Sequence, residues 1–94
     1  MSDEFRIPEN GVIYFYNNWN LENENMNPIL KELGQNFYIQ KVNTEEDDLM
    51  SKYFDVISTP AFVVIKDGKE VKRFLGEVSK QKLESALRKI YSDI

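Results

Sequence analysis

Hydrophobic residues change their spacing at one polar loop in the first third of the chain. Val12–Tyr16, with the sequence V-I-Y-F-Y, is a nearly continuous apolar run, typical of a strand buried on both faces. Beyond the loop, which contains Trp19, apolar residues recur at helical spacing: Met26, Ile29, Leu30 and Leu33. Because ligands of open α/β sheets bind beyond the carboxyl ends of strands, this strand–loop–helix unit is a candidate site.

The residues after the loop predict a helix from near Asn23 to Leu33, with Gly34 as a C-cap candidate. Pro28 lies inside that helix and is expected to kink it, because proline cannot donate a helical hydrogen bond. The alternating segment Phe37–Val42 is predicted to be the next strand.

An acidic segment, Thr44-Glu45-Glu46-Asp47, has the spacing of a capping box with Thr44 as the N-cap. We expect a short helix there, whose buried side consists of Leu49, Met50, Tyr53 and Phe54. A calcium loop would need alternating oxygen ligands and a glycine, so helix capping explains the acidic run better.

The second half of the chain predicts a strand pair and a final helix. Ser58-Thr59-Pro60 precedes the apolar strand Ala61–Ile65, and Asp67-Gly68 is the turn of a hairpin into Glu70–Leu75. Ser79 is the expected cap of a helix whose apolar residues keep helical spacing: Leu83, Ala86, Leu87, Ile90 and Ile94.

This order of elements predicts the α/β class, with a central mixed sheet and helices on both faces. The strand–helix–strand start implies parallel neighbours, whereas the hairpin adds antiparallel ones. Phe5–Ile7 has the pattern of a short edge strand that Pro8 would end, so four or five strands are expected. At 94 residues, the chain is predicted to be a single domain over residues 1–94.

Charge is unevenly distributed along the chain, whose net charge is −4. Residues 1–50 contain ten acidic and three basic residues, and residues 51–94 contain six acidic and nine basic ones. This asymmetry either reflects two solvated faces or indicates an acidic surface near Trp19 that selects a basic partner. The acidic total argues against nucleic acid as the main ligand.

The composition excludes several chemistries. With no Cys, the chain can form no disulfide and supply no thiolate, and with no His it lacks the commonest general base and metal ligand. We therefore predict no cofactor, no metal site and no catalytic residue. No apolar run reaches the roughly 20 residues of a membrane span, and the acidic N-terminus is unlike a signal peptide, so a cytoplasmic location without membrane association is expected.

Several landmarks resemble the thioredoxin family over most of the chain. Trp19 and Pro28 keep the spacing of the family's active-site segment, in which Trp-Cys-Gly-Pro-Cys leads into a helix with a proline. Ser58-Thr59-Pro60 matches the cis-proline loop, Lys66-Asp67-Gly68 the hairpin turn, and Gly76 a later glycine of the family. The resemblance implies a thioredoxin-like three-layer α/β/α fold and a cis bond before Pro60.

The departures from the family concern its redox chemistry. The two thiol positions fall on Asn20 and Asn23, with Leu21 and Glu22 between them. The family's buried Asp is replaced by Tyr14, which leaves Lys41 without the neighbour it has in the family. The resemblance therefore implies a redox-inactive member.

The leading hypothesis is a module that binds a protein or an extended peptide segment without acting as an enzyme. The resemblance implies that the backbone before Pro60 pairs with the partner, which needs no thiol. The predicted binding residues are Trp19, Asn20, Leu21, Glu22, Asn23, Ser58, Thr59 and Pro60. The alternatives are plain core packing of Trp19, a structural or assembly subunit of a larger complex, and an enzyme of unrecognised non-thiol chemistry.

Overall fold

Seven helices and strands follow one another in the computed structural model, which describes residues 6–19 and 22–92. The strands are β1 (Asn10–Tyr16), β2 (Ile39–Asn43), β3 (Ala61–Lys66) and β4 (Lys69–Leu75). The helices are α1 (Glu22–Leu33), α2 (Asp48–Tyr53) and α3 (Lys80–Ile90). The predicted order of elements is therefore confirmed for the described residues.

The described strands form one mixed sheet in the order β2-β1-β3-β4. Strand β1 pairs in parallel with β2, to which α1 connects it, and antiparallel with β3. Strands β3 and β4 form the predicted hairpin, and both turn residues have positive φ angles, 56° at Asp67 and 79° at Gly68. Such angles match the right-handed twist of the paired strands, so the turn fixes their register.

The sheet is covered on both faces, as the sequence predicts. On one face, Val12 and Tyr14 of β1 pack into a core with residues of α1 and α3, among them Met26, Leu30, Leu83 and Leu87. On the other face, Ile13 and Phe15 pack with Met50 and Phe54. Successive side chains of a strand point to opposite faces, so a strand between two cores must be apolar throughout.

The segment before β1 adds no strand within the described residues. Phe5 lies outside them, and Arg6 and Ile7 adopt no strand conformation. The Arg6 carbonyl oxygen accepts a hydrogen bond from Gln40 Nε2 at 3.1 Å, and Ile7 packs against the core on the α2 face. A single side-chain contact and the missing donor of Pro8 do not make a strand ladder.

The predicted capping box at Thr44 is wrong, because residues 44–46 form a turn and α2 begins only at Asp48. The Thr44 backbone N–H is already bonded to the carbonyl oxygen of Tyr16 at 2.9 Å, which continues the pairing of β1 and β2. Asp47 is the N-cap instead, and its Oδ1 accepts from the Met50 backbone N–H at 3.2 Å. A Thr44 cap would also need the Asp47 N–H as a donor to its side chain, and that N–H donates instead to the Asn43 carbonyl oxygen at 2.8 Å.

The later start of α2 also changes which of its residues are buried. Met50 and Phe54 lie in the core as predicted, whereas Leu49 is 67% exposed and Tyr53 is also exposed. Ser51 takes a buried position instead, and its hydroxyl donates to the Asp47 carbonyl oxygen at 3.3 Å. The expected buried side at Leu49 and Tyr53 is therefore wrong.

Three details elsewhere qualify the predicted element ends. The turn after α1 continues to Phe37, whose N–H donates to the Leu33 carbonyl at 2.9 Å, so β2 starts later than predicted. Gly34 follows the helix without a positive φ and forms no left-handed C-cap. Ser79 does cap α3, since its side chain accepts from the Lys82 N–H at 3.1 Å.

The contrast between Met50 and Leu49 gives a direct test of how α2 packs. Met50→Ala should lower the free energy of unfolding by about 2–5 kcal/mol, because it leaves a cavity in the core. Leu49→Ala, the matched control one residue away, should change it by no more than about 0.5 kcal/mol. Urea denaturation of both variants measures the difference, and equal losses would contradict the observed orientation of the helix.

Candidate functional site

Four segments meet beyond the carboxyl ends of β1 and β2. They are the loop that contains Trp19, the turn at residues 44–46, the segment Ser58–Pro60 before β3, and Gly76 with Glu77 after β4. We call this region the Trp19 end. Loops at this end of the sheet are free to vary, because the strands below them supply the core.

Trp19 is on the surface, with 81% of the residue exposed. The interpretation of Trp19 as plain core is therefore wrong. Its backbone N–H donates to Asn17 Oδ1 at 3.0 Å, a short-range turn bond of the kind that Asn favours. Its indole Nε1–H donates to the carboxylate of Glu45, which follows β2. Two hydrogen bonds therefore orient an exposed aromatic ring.

The Ser58–Pro60 segment lies directly beside the Trp19 loop. Asn17 Nδ2 donates to Thr59 Oγ1 at 2.8 Å, across 42 residues of sequence. The Thr59–Pro60 peptide bond is cis, the geometry that the resemblance implied, and Pro60 is buried while Ser58 is exposed. Asn17 thus connects the two predicted parts of the site, through one bond to each.

The remaining predicted site residues are only partly described. Asn20 and Leu21 lie outside the described residues. Glu22 and Asn23 form the beginning of α1, and only their backbone position is described. The described predicted residues that come together are thus Trp19, Ser58, Thr59 and Pro60.

Several residues at the Trp19 end were not assigned to the site from the sequence. Asn17 and Glu45 hold the Trp19 loop, and the Pro60 carbonyl oxygen accepts from the Gly76 N–H at 2.8 Å. Glu77 accepts from Asn25 Nδ2 of α1 at 2.7 Å. The position of Glu45 after a strand parallel to β1 was an available signal, because such strands end at the same edge.

Tyr14 occupies the core position where the resemblance places an acidic residue. Its ring stacks on Phe62, with centroids 5.0 Å apart, and on Tyr16, with centroids 5.6 Å apart. Burial, and to a smaller extent the neighbouring Tyr16 phenol, raise the pKa of Tyr14 to about 12. Tyr14 is therefore neutral at pH 7 and does not supply a carboxylate for proton transfer.

The described residues include no group of three or more His, Cys, Asp or Glu side chains placed to hold a metal ion. Within the same residues, none of the helices has the length and apolar character needed to cross a membrane.

Comparison with known proteins identifies the family. The thioredoxin family model matches residues 6–89. The chain belongs to the thioredoxin family. Among structures of thioredoxins, that of a mutant from Halobacterium salinarum NRC-1 superposes with a TM-score of 0.84 at 18% identity, over 92% of this chain and 77% of that one. Mitochondrial thioredoxin 3 from Saccharomyces cerevisiae gives a TM-score of 0.78 at 27% identity, over 86% and 78%.

Two curated sequence relatives agree with this assignment. Thioredoxin Y, chloroplastic, from Oryza sativa subsp. japonica is 31% identical over an alignment 84 residues long, which covers 81% of this chain and 50% of that protein. Thioredoxin 1 from Synechococcus elongatus is 32% identical over 66 residues, covering 66% of this chain and 62% of the relative. The matches thus span about half to three fifths of the relatives' length.

This thioredoxin-family chain has the fold without a thiol. Thiol–disulfide exchange requires a thiolate nucleophile, and the chain contains no Cys. We expect the rate of insulin reduction by dithiothreitol in the presence of the chain to equal the buffer rate. A thioredoxin with both thiols serves as the positive control in the same assay. Acceleration of insulin reduction by this chain would contradict the prediction that it has no thiol–disulfide exchange activity.

Tyr14 should make stability depend on pH in the alkaline range. Its pKa of about 12 in the fold exceeds the ordinary value of 10.0, so from pH 10 the unfolded state loses this proton while the folded state keeps it. Stability contributed by the neutral phenol is complete below pH 10 and is lost as pH rises to 12. Between pH 10 and pH 12, the free energy of unfolding of the wild type should fall by about 2–3 kcal/mol more than that of Tyr14→Phe. Urea denaturation at both pH values measures the difference. Equal losses would contradict the raised pKa.

Proposed function

We propose that this chain is a redox-inactive thioredoxin-like module that binds an extended segment of another protein at the Trp19 end, and that it is not an enzyme. The observation that carries the proposal is the oriented, exposed indole of Trp19 beside the exposed Ser58. Trp is enriched at binding hot spots, because its ring buries a large area and keeps a polar tip.

The Ser58–Pro60 segment supplies the second half of the proposed site. It leads directly into β3, and Ser58 is exposed, so we propose that a partner in extended conformation aligns with its backbone. Backbone pairing of this kind gives affinity, while neighbouring side chains give specificity. Asn17 bonds both Thr59 and the Trp19 backbone, so it holds the Trp19 loop beside the Ser58–Pro60 segment. One bound segment could then contact both.

The hydrogen bonds of the Trp19 loop also favour binding energetically. An exposed aromatic ring that moved freely would lose side-chain entropy on association. Here Asn17 bonds the Trp19 backbone, and Glu45 bonds its indole, before any partner arrives. Much of the ordering cost is therefore met during folding, and the ring presents a defined face.

A role as an assembly subunit is the second candidate, and an exposed apolar residue of β4 favours it. Val71 lies in the middle of this edge strand of the sheet and is exposed. A stable subunit contact through the middle of β4 would bury Val71 and would leave the Trp19 end open. The two proposed functions therefore use different residues and can be separated by substitution.

Partner capture from the cell of origin tests the proposed site. Trp19→Ala should weaken retention of specifically bound proteins by about thirtyfold or more, as for a hot spot whose loss costs at least about 2 kcal/mol. Its stability should change by no more than about 0.5 kcal/mol, since the ring is exposed. Quantitative mass spectrometry of the bound fractions measures the loss.

The matched control is Tyr38→Ala, which removes another exposed aromatic residue, 59% exposed and located before β2 rather than after it. It should retain the same proteins as the wild type. Equal binding by Trp19→Ala and the wild type would contradict the proposed site. Binding lost instead on Val71→Ser would favour the assembly role through β4.

A further inference from the structure

The segments that meet at the Trp19 end have a one-sided charge. They are residues 16–19, 22–26, 43–48, 56–61 and 74–79, and together they contain seven acidic residues and no Lys or Arg. Two of the seven, Asp47 and Asp48, belong to the cap and first turn of α2. Among the others, the side chains that the structure describes are those of Glu24, Glu45, Glu46 and Glu77, and all four residues are exposed. Basic residues lie elsewhere, mainly on β4 and α3.

These four carboxylates are not neutralised within the described part of the chain. The ion pairs found there join Lys52 to Asp48, Arg73 to Glu70, Lys80 to Glu32 and Glu84, and Arg88 to Glu84. The Glu45 and Glu77 side chains accept hydrogen bonds only from neutral groups there, the Trp19 indole and the Asn25 amide. Their negative charge therefore remains available to a partner.

Exposed apolar residues accompany the charge at the same end. Trp19 is 81% exposed, Ile57 91% and Leu75 63%. Ile57 directly precedes Ser58, and Leu75 precedes Gly76, whose N–H is bonded to the Pro60 carbonyl oxygen. The surface thus offers apolar contacts next to the Ser58–Pro60 segment. Carboxylates accompany them, Glu45 near Trp19 and Glu77 after Gly76.

We infer that the Trp19 end selects extended segments in which Lys or Arg residues accompany apolar ones. This inference rests on the proposed function and names the chemistry of its partner. An extended chain directs successive side chains to opposite sides and repeats along one side every two residues, about 6.6 Å. A segment aligned with Ser58–Pro60 can therefore place apolar side chains on Trp19 and Ile57 and cationic ones toward Glu45 and Glu77.

The electrostatic part of this selection has a characteristic dependence on salt. Exposed charges interact over about 10 Å at 0.1 M ionic strength and over about 3 Å at 1 M. The exposed carboxylates of the Trp19 end should therefore attract a basic segment mainly at low salt. They chiefly speed association with basic segments and disfavour acidic ones. The apolar contacts of Trp19 are not screened, so salt should reduce the preference for charge without abolishing binding.

An unbiased peptide selection tests the inference. The full chain is used to select from a library of displayed random peptides of about ten residues, the length of a long strand, with the Trp19→Ala chain as counter-selection. We expect the peptides that depend on Trp19 to be enriched in Lys and Arg together with apolar residues. Enrichment of peptides that depend on Trp19 but are neutral or acidic would overturn the inference and leave the proposed function standing. If no enriched peptide depends on Trp19, the proposed function itself is contradicted.

Charge-neutralising variants then measure the effect on the enriched peptides. Glu46→Gln should weaken binding about two- to fivefold, the size expected of an exposed charge pair. The triple variant Glu45→Gln, Glu46→Gln, Glu77→Gln should weaken it at least about tenfold, with smaller effects at 1 M salt. Gln keeps an oxygen that can accept from Trp19 and Asn25, so these variants remove charge while retaining the hydrogen bonds.

Glu9→Gln is the matched control for total charge. Glu9 is exposed and lies before the amino end of β1, where its carbonyl oxygen accepts from the Gly68 N–H. Strand β1, which has seven residues, separates Glu9 from the Trp19 end by roughly 20 Å at about 3.3 Å per residue, about twice the screening length at 0.1 M salt. Binding should change by less than about 1.5-fold. An effect equal to that of Glu46→Gln would mean that net charge alone acts, and would overturn the inference.

Discussion

The burial of strand β1 between two cores is the constraint on which the rest of this structure depends. Val12 through Phe15 are almost completely shielded from solvent, and their side chains alternate between the α1/α3 face and the α2 face. The same strand pairs with β2 on one side and β3 on the other. It therefore aligns the sheet and also determines where its carboxyl end, with the Trp19 loop, projects.

This division between core and loop explains how the family's fold persists here without its thiol chemistry. The stabilising contacts lie below the Trp19 end, in apolar layers and strand pairing that require no thiol. Tyr14 continues the apolar packing at the position of the family's buried Asp, stacked on Phe62 and Tyr16. The loops above the sheet can then differ in chemistry, because they contribute little to the core.

Polar contacts at the Trp19 end form across long distances in sequence. Asn17 bonds Thr59, and Glu45 bonds the indole of Trp19. The Asn25 side chain donates to Glu77 from the first turns of α1. These bonds unite loops that emerge from different strands, so the proposed binding surface is a property of the sheet end and of no single motif.

The amino-acid pattern by itself determined the class of fold, the order of the elements, the hairpin turn and the absence of thiol chemistry. Each depends on local spacing or on residue type, which a single chain displays directly. Tertiary structure decided the start of α2, because Asn43, which pairs with Tyr16 of β1, accepts the Asp47 N–H that a Thr44 cap would need, and Asp47 caps the helix. It also decided that Glu45 faces Trp19, since that contact spans 26 residues and exists only when β1 and β2 lie side by side.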